Sequence, residues 1–359
     1  MVKEILEEGM DFMCWTSGVM CYFILFIFIL PICIWLYKEL TMGICNSETS
    51  FVGKVVLITG GSNGIGFETT VDLAKRGAKL IIGCRKTHGL IEKIQRRVPD
   101  AHVDVIPLDL SAKSSIQDFV EQVKSKYNSI HVLINNAGML NSVDGPVERV
   151  ETKDGFELVM ATNYLGHCML NQSLLDLVRN GAEDNNSVSR IILVSSMAIM
   201  SPEALDICKQ QKNGTYTVNF DLEESIKDSR RQYSKTKLAQ VMYANHLAEK
   251  FLEDNENICI SCLHPGFVRT EIMDGFPKQA QGIVKVLSYI MGKNPWQGAQ
   301  TTLHLATQNF EDPMKEVNGK FFADCRTNLG YQFLFPKIMK DKLACKYVYN
   351  ETLKILGIE

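Results

Sequence analysis

The stretch TGGSNGIG, residues 59–66, decides the fold. It follows the apolar run KVVLI and opens the amphipathic stretch GIGFETTVDLAKRGA, so we predict a tight turn between a buried strand and a helix. Glycines at 60, 64 and 66 let the backbone turn sharply and approach a pyrophosphate at the positive end of the helix dipole. The spacing G-x-x-x-G-x-G differs from the common G-x-G-x-x-G, but the strand and helix around it indicate a nucleotide site.

The alternation of apolar strands and helices continues after this turn. The further predicted strands are KLIIGC (79–84), HVDVIPLDL (102–110), IHVLINNAG (130–138), SRIILVSS (189–196) and NICISCLHPG (257–266). The predicted helices are HGLIEKIQRRV (88–98), SSIQDFVEQVKSKY (114–127), NYLGHCMLNQSLLDLVRN (163–180) and YSKTKLAQVMYANHLAEKF (233–251). This pattern predicts an α/β fold with a doubly wound parallel sheet covered on both faces. We assign residues 52–325 to this single domain and residues 326–359 to a helical C-terminal tail.

The composition is that of a globular chain without a basic excess. Of 359 residues 46% are hydrophobic, and 38 basic residues against 41 acidic ones give a formal net charge of −3. Because no Lys- or Arg-rich run stands out, nucleic acid is not an expected partner. His131, His167 and His264 lie in separate contexts without ligand spacing, so no metal site is expected.

The cysteines favour a reducing compartment. There are 11 of them, an odd number without a framework spacing. Cys259 and Cys262 form a CxxC, but they lie in a predicted strand, where residues three apart point to opposite faces. Redox or zinc chemistry is therefore not expected of this pair.

The N-terminal region contains a long uncharged segment. Residues 12–37 carry no charge and are rich in Ile, Leu and Phe, and a bilayer span needs about 20 apolar residues. Trp15, Trp35 and Tyr37 lie near its ends, where amphipathic rings favour the interface. A buried core helix is the alternative, but the segment is too long and too uniformly apolar for one. We predict one transmembrane helix, which Pro31 kinks or folds into a hairpin.

The flanks of this segment bear on its processing and orientation. Residues 1–11 are acidic rather than basic and no small-residue cleavage site follows, which favours a retained anchor over a signal peptide. Residues 38–51 form a linker. Lys3 precedes the span while Lys38 and Lys54 follow it, so the positive-inside count is nearly balanced. We predict a single-pass protein of the endoplasmic reticulum whose body faces the cytosol, an orientation that the free cysteines support.

The end of the second strand bears on cofactor choice. NAD-binding folds usually carry an Asp or Glu here for the ribose 2′-hydroxyl, whereas this chain has Arg85 and Lys86. These side chains, with Asn63, are suited to a 2′-phosphate. We therefore expect NADP(H) as the preferred cofactor, with NAD(H) as the alternative. A solvated basic pair at a helix start would look the same.

Seven motifs in order resemble those of the short-chain dehydrogenase/reductase family, whose members have a Rossmann fold. They are TGGSNGIG, Asp109 in PLDLS, NNAG at 135–138, Asn163 in TNYLGH, Ser196 in LVSSM, Tyr233 with Lys237 in YSKTK, and HPGFVRT at 264–270. The resemblance implies a catalytic tetrad of Asn163, Ser196, Tyr233 and Lys237. It implies cofactor contacts from Gly60, Ser62, Asn63, Gly64, Ile65, Gly66, Arg85, Lys86, Asp109, Leu110, Asn136, Ala137, Gly138, Tyr233, Lys237, Pro265, Gly266, Val268 and Thr270.

The physical chemistry of the Tyr233 and Lys237 pair agrees with these roles. Tyrosine has a pKa near ~10 in water, so it needs a nearby positive charge to act as a base at neutral pH. Residues i and i+4 share a helix face, which brings Lys237 beside Tyr233. Only one of Ser195 and Ser196 can face the site from the strand, and alignment to the family selects Ser196. Asn135 is expected to tie neighbouring strands rather than contact substrate.

Within the family the chain is most similar to the membrane-anchored retinol dehydrogenase branch and its polyprenol and steroid relatives. The features shared are the anchor, GCRK, NYLGH and NGKFFADC. Residues 271–295 place apolar side chains at helical spacing, either as an amphipathic helix on the body or as an apolar lid. The resemblance implies interconversion of a lipid alcohol and its carbonyl. A catalytically silent nucleotide-binding scaffold is the alternative, and a homo-oligomer is compatible with the sequence.

Overall fold

A computed structural model of the chain describes residues 29–140, 150–184, 187–220, 229–269, 282, 288–289, 292–327, 330 and 332–358. The first part of the predicted anchor, most of the segment 271–295 and Thr270 lie outside the described residues.

Seven parallel strands form one sheet in the order β3-β2-β1-β4-β5-β8-β9. The strands are β1 (Val55–Thr59), β2 (Lys79–Cys84), β3 (His102–Pro107), β4 (Val132–Asn135), β5 (Ser189–Val194), β8 (Ile258–His264) and β9 (Phe321–Ala323). In the centre, Leu57 of β1 pairs with Ile81 of β2 and Leu133 of β4. The order reverses between β1 and β4, and this switch point creates a crevice at the carboxyl ends of the strands. The predicted doubly wound sheet is confirmed.

Helices cover both faces of the sheet. They are α1 (Leu30–Thr41), α2 (Gly64–Lys75), α3 (Leu90–Gln95), α4 (Lys113–Lys126), α5 (Leu158–Met160), α6 (Gly166–Glu183), α7 (Ser229–Glu253), α8 (Pro295–Thr307), α9 (Pro313–Glu316) and α10 (Lys342–Leu356). A π-helical turn, Ala161–Leu165, joins α5 to α6. Every residue of β1 is buried, as are nearly all those of β8, because both faces carry helices.

The two faces of the sheet hold separate hydrophobic clusters. Leu57 and Cys262 belong to one cluster, while Ile58 and Cys259 belong to the other. The two cysteines of the CxxC therefore point to opposite sides of β8, as the strand prediction required. They are both free thiols.

Two small β elements were not anticipated from the sequence. The strand β9 extends the sheet beyond β8, and the segment after Ser196 folds into two 3₁₀ turns and a hairpin. The turns are Met197–Met200 and Pro202–Ile207, and the hairpin strands are β6 (Cys208–Gln210) and β7 (Tyr216–Val218). Strands of three residues carry no usable periodicity, which is why the sequence pattern did not show them.

The N-terminal part of the described chain packs on the body. Helix α1 starts within the predicted anchor and continues four residues into the predicted linker, to Thr41. Residues 45–51 then run over α2 and α8, where the Ser47 carbonyl accepts from Arg76 Nη1 at 2.6 Å and Ser47 Oγ donates to the Thr307 carbonyl at 2.7 Å. Within the described part of the chain, none of the helices combines the length and the apolar character needed to cross a bilayer.

The C-terminal tail is joined to the same core. Helix α10 packs against α7, and its buried Val348 and Tyr349 belong to the cluster that also contains Leu57. The hydroxyl groups of Tyr164 and Thr352 lie 2.6 Å apart, and Tyr216 Oη donates to Asp341 at 2.7 Å. The hairpin β6–β7 is thereby held against α10.

Candidate active site

A cleft of about 800 Å³ lies at the carboxyl ends of β1, β2, β4 and β5. Sixteen of the predicted cofactor residues line it, namely Gly60, Ser62, Asn63, Gly64, Ile65, Gly66, Arg85, Lys86, Asp109, Leu110, Asn136, Ala137, Gly138, Tyr233, Lys237 and Pro265. Gly266 and Val268 lie behind the lining, where Gly266 packs on the Lys293 side chain. Residues from five predicted motifs therefore meet at the switch point of the sheet.

Gly60 and Gly66 show why the turn needs glycine. Gly60 adopts φ +68°, a left-handed conformation that L side chains rarely adopt. A Cβ on Gly66 would lie 2.3 Å from the Gly60 carbonyl oxygen, so any larger residue would push the turn away from α2. The backbone amides at the start of α2 are consequently open to the cleft and can receive a phosphate.

The NNAG segment is hydrogen-bonded to this turn through Asn136. Asn136 Nδ2 donates to the carbonyl oxygens of Thr59 and Gly60, at 2.9 and 3.3 Å. The strand-tying residue is therefore Asn136, and the interpretation of Asn135 is corrected. Asn135 Nδ2 donates instead to Asn171 Oδ1 on α6, at 2.7 Å, because alternation along β4 turns it to the helical layer.

The far end of the cleft carries both charge signs. Asp109 Oδ1 accepts from the backbone amide and the hydroxyl of Ser111, at 2.9 and 2.7 Å, which fixes the carboxylate at the end of β3. Arg85 and Lys86 are exposed at the rim, next to the end of β2. Among the described residues that line the cleft, Asp109 is the only carboxylate, while Arg85, Lys86, Lys237 and Arg269 are cations. The lining is thus positive and suited to a phosphate-rich cofactor.

Ser196, and not Ser195, meets Tyr233. Ser196 Oγ interacts with the Tyr233 hydroxyl and lowers the pKa of the phenol, and it also accepts from the Ala198 amide at 3.2 Å, capping the first 3₁₀ turn. Ser195 Oγ points into the protein and donates to the Lys237 carbonyl at 3.0 Å. The turn after β5 thus brings the Ser196 hydroxyl to the phenol.

Lys237 lies beside Tyr233 in a nearly dry environment. Its side chain is 3% exposed, and Nζ is 5.3 Å from the centroid of the Tyr233 ring. Nζ donates to the Val194 carbonyl at 2.8 Å, at the end of β5. Burial lowers the pKa of Lys237 to about 8, because the charged form loses its hydration.

The Tyr233 phenol is held in its protonated form. Burial raises the pKa of Tyr233, and the interaction with Ser196 opposes this shift only in part. A phenol with a raised pKa stays protonated at neutral pH, and a neighbouring positive charge is needed to lower that pKa so that the proton can leave. The pair can therefore deliver a proton to an oxygen placed between Ser196 and Tyr233.

Asn163 lies in the π-helical turn and is fully buried. Its Oδ1 accepts from the Met139 amide at 2.8 Å, and its Nδ2 donates to the Met139 carbonyl at 2.9 Å. Gly138 precedes this clamp, and a Cβ there would lie 3.6 Å from both Asn163 Oδ1 and Lys237 Nζ. Asn163, in the π turn, thus fixes the backbone next to Lys237.

Sequence reasoning missed the polar chain that connects this turn to the glycine turn. Thr59 Oγ1 accepts from the backbone amides of Asn136 and Ala137, both at 3.0 Å, and lies 2.9 Å from His167 Nε2. His167 Nδ1 lies 3.1 Å from the Asn163 carbonyl, and burial lowers its pKa to about 4. A neutral imidazole that donates from Nδ1 and accepts at Nε2 satisfies all of these contacts.

The substrate side adds two residues that the sequence did not single out. Arg269 stacks on the Tyr289 ring at 4.8 Å, and both line the cleft beyond Pro265. The only signal in the sequence was the position of Arg269 inside HPGFVRT. A planar cation on an aromatic ring forms one wall of the cleft mouth.

Comparisons with known proteins agree with this arrangement. Residues 54–207 match the family model described as short chain dehydrogenase. The chain is 33% identical to Short-chain dehydrogenase TIC 32 A, chloroplastic, of Brassica napus, over 80% of this chain and 85% of the relative. It is 30% identical to Retinol dehydrogenase 12 of Bos taurus, over 95% of this chain and 98% of the relative.

Solved structures agree with the fold. The Pseudomonas aeruginosa RhlG/NADP active-site complex is 21% identical, with a TM-score of 0.56 over 76% of this chain and 95% of that chain. The 3-ketoacyl-(acyl-carrier-protein) reductase from Brucella melitensis, complexed with NADH, is 22% identical, with a TM-score of 0.54 over 76% and 97%. At these identities the likeness concerns the fold alone.

Proposed function

Because the chain belongs to the short-chain dehydrogenase/reductase family and is similar to retinol dehydrogenases, we propose that it interconverts a hydrophobic alcohol and its carbonyl. The chain is an oxidoreductase of this family. The substrate would be a retinoid, steroid, polyprenol or other lipid, and the preferred cofactor NADP(H). The observation that carries the proposal is the contact of Ser196 and Lys237 with Tyr233 at the wall of the glycine-bounded cleft.

The proposed mechanism is a proton transfer at Tyr233. Ser196 Oγ and Tyr233 Oη would together hold the substrate oxygen, and a nicotinamide bound in the cleft would supply or accept the hydride. In reduction, the protonated Tyr233 gives its proton to that oxygen, and in oxidation it takes the proton back. Tyr233 is a phenolate after it has given its proton in reduction and before it takes the proton in oxidation. The Lys237 ammonium stabilises this phenolate, since a cation beside a phenol favours its charged form.

Asn163 takes part as a positioning residue in this proposal. By resemblance it would hold a water that links Lys237 to solvent. Both polar groups of its side chain bond to Met139, so it also fixes Gly138 and Met139 against Lys237. The site is thereby organised before any ligand binds, which is what electrostatic stabilisation requires.

The decisive test is turnover by the purified full chain. We expect NADPH-dependent reduction of lipid carbonyls, or the reverse oxidation, and a loss of at least about 100-fold in kcat for Tyr233→Phe, since a positioned acid contributes 10²-fold or more. The variant should keep its affinity for NADPH. If a screen in both directions gave no turnover above that of Tyr233→Phe, the chain would be a catalytically silent scaffold.

The NADP(H) preference has a separate basis in the rim of the cleft. Arg85 and Lys86 follow β2 without an acidic residue beside them, so they can meet a 2′-phosphate. Arg85→Glu should weaken NADPH binding by about 10-fold or more through charge reversal while NADH affinity changes little. Equal losses for the two cofactors in a fluorescence titration would contradict the preference.

We also propose that the chain is a single-pass protein of the endoplasmic reticulum with a cytosol-facing body. Support comes from the uncharged residues 12–37 and from the exposed Ile32, Trp35 and Leu36 on α1. A membrane position would bring a lipid substrate to the cleft, beside whose mouth α1 is attached through Lys38 Nζ and the Gly292 carbonyl at 3.2 Å.

A further inference from the structure

Lys93 on α3 reaches across to the cofactor turn from outside the cleft. Its Nζ donates to the Ser62 carbonyl at 2.8 Å and to Asn63 Oδ1 at 3.1 Å. The same ammonium lies 4.1 Å from the centroid of the Phe67 ring on α2. Neither the sequence motifs nor the family resemblance assigns a role to Lys93, yet three contacts hold its charge in one place.

The Lys93 side chain is held in place at its backbone and at its ammonium group. Helix α3 is rooted in the core by Leu90 and Ile94, which are buried. Phe67 is also buried, so the cation–π contact is formed against a fixed ring. A lysine anchored in this way loses little further freedom when a ligand arrives.

The contacts of Lys93 set the direction of the Ser62–Asn63 peptide. In a trans peptide the N–H points opposite to the C=O, so a Ser62 carbonyl directed at Lys93 turns the Asn63 amide away from it. The Asn63 side-chain oxygen also faces the ammonium. Ser62 in turn lowers the pKa of the Cys84 thiol, next to Arg85, so its side chain faces the end of β2. The turn is therefore held between Lys93 and the end of β2.

The charges around this part of the turn favour an anion. Arg85 and Lys86 are at the rim and Lys93 is beneath the turn. The nearby acid Glu68 is paired with Arg97 at 3.4 Å, and Asp109 Oδ1 accepts from Ser111. Three cations thus surround the Ser62–Asn63 segment, where the resemblance and the missing acid place the adenosine ribose.

We propose that Lys93 is a positioning residue that makes the Ser62–Asn63 turn selective for a cofactor with a 2′-phosphate. The proposal rests on the proposed use of NADP(H) and deepens it. Lys93 acts through the turn, by fixing its direction and by adding a third positive charge. The ligand class it selects is a 2′-phosphorylated adenosine nucleotide over its 2′-hydroxyl counterpart.

The test compares two fragments that differ in the 2′-phosphate, 2′,5′-ADP and 5′-AMP, by calorimetry on the full chain. The wild-type chain should prefer 2′,5′-ADP. We measure this preference as the dissociation constant of 5′-AMP divided by that of 2′,5′-ADP, and Lys93→Met should reduce this ratio by about 10-fold, the effect of one charge-assisted contact. Lys93→Arg keeps the charge and should retain most of the preference. Arg97→Met removes a cation near the same helix that does not touch the turn, and it should leave the ratio unchanged.

The outcomes separate this proposal from the one it rests on. A wild-type chain without preference for 2′,5′-ADP would overturn the use of NADP(H) itself. If the wild-type chain prefers 2′,5′-ADP but Lys93→Met weakens the binding of both fragments equally, Lys93 only supports the fold of the turn. That result would overturn the inference. If Arg97→Met lowered the ratio as much as Lys93→Met does, general surface charge would explain the effect. That result would overturn the inference as well.

Discussion

At the scale of single residues, burial sets the properties of the site. The four-residue spacing of Tyr233 and Lys237 predicted that they share a helix face, but the spacing says nothing about hydration. Lys237 is enclosed and Lys235, two residues earlier, is completely buried. Only Lys237 lines the cleft. The difference arises from what packs on each side of α7, which no local pattern encodes.

The lowered pKa of Lys237 implies a cost in stability. The pKa falls from 10.5 to about 8 on folding, so the unfolded chain binds the proton more tightly. The penalty is complete below pH 8, where both states are charged, and it disappears as the pH rises from about 8 towards 10.5. Its upper limit is about 3 kcal/mol, from the fall of the pKa from 10.5 to about 8.

We therefore expect Lys237→Met to lose activity and gain stability. At pH 7 the variant should be more stable than the wild type by about 1–3 kcal/mol, since Met fills the space without a buried charge. The gain should shrink between pH 8 and pH 10.5. Urea denaturation across this range measures it, with Tyr233→Phe as an inactive control that keeps the lysine. A less stable Lys237→Met at pH 7 would show that the hydrogen bond to Val194 outweighs the burial cost.

At the scale of elements, close helix packing positions the cofactor end of the cleft. The π turn and α6 follow one another, and Gly166 at the start of α6 lies directly on the Leu110 carbonyl. Leu110 follows Asp109, so this contact sets where the end of β3 meets the cleft. Close backbone approach of this kind needs glycine because a Cβ would occupy the contact.

Gly166→Ala should consequently disturb both stability and cofactor binding. The new Cβ would lie 2.2 Å from the Leu110 carbonyl oxygen, so the helix or the loop must shift. We expect a loss of about 1–3 kcal/mol, as for overpacking in a core, together with weaker nucleotide binding. In the stability control Gly138→Ala, the nearest atoms would lie at 3.6 Å, an ordinary contact. Equal melting temperatures for the two variants would contradict the packing argument.

At the scale of the whole molecule, the N-terminal segment has two parts with different roles. Residues 45–51 pack on α2 and α8, with Phe51 buried and Cys45 N donating to Gln300 Oε1 at 3.1 Å. The uncharged residues 12–37 are the proposed anchor, and α1 begins inside them. The body should therefore depend on residues 45–51 for folding and on the anchor for its location in the cell.

Two truncations separate these roles. A chain starting at residue 29 should keep the melting temperature of the body within about 2 °C and leave the membrane fraction, since it retains every packing contact described above. A chain starting at residue 52 should melt several degrees lower, because it loses Phe51 and the contacts of Ser47, together worth about 2–4 kcal/mol. Membrane retention of the first truncated chain would contradict a membrane span that needs residues 12–28.

The sequence by itself determined the order of strands and helices, the glycine turn and the tyrosine–lysine pair. Each of these is written in contiguous residues, through apolar periodicity, obligatory glycines or a one-turn spacing. It also indicated the family, because several short motifs occur in order. The fold and most of the cleft lining followed from these local signals.

Only the tertiary structure decided which polar groups meet. It made Asn136 the tie between strands and joined Thr59 to Asn163 through His167. It also brought Lys93 under a turn about 30 residues away in the chain. These contacts depend on how helices pack across the sheet, and packing distances between remote segments leave no periodic trace in the sequence.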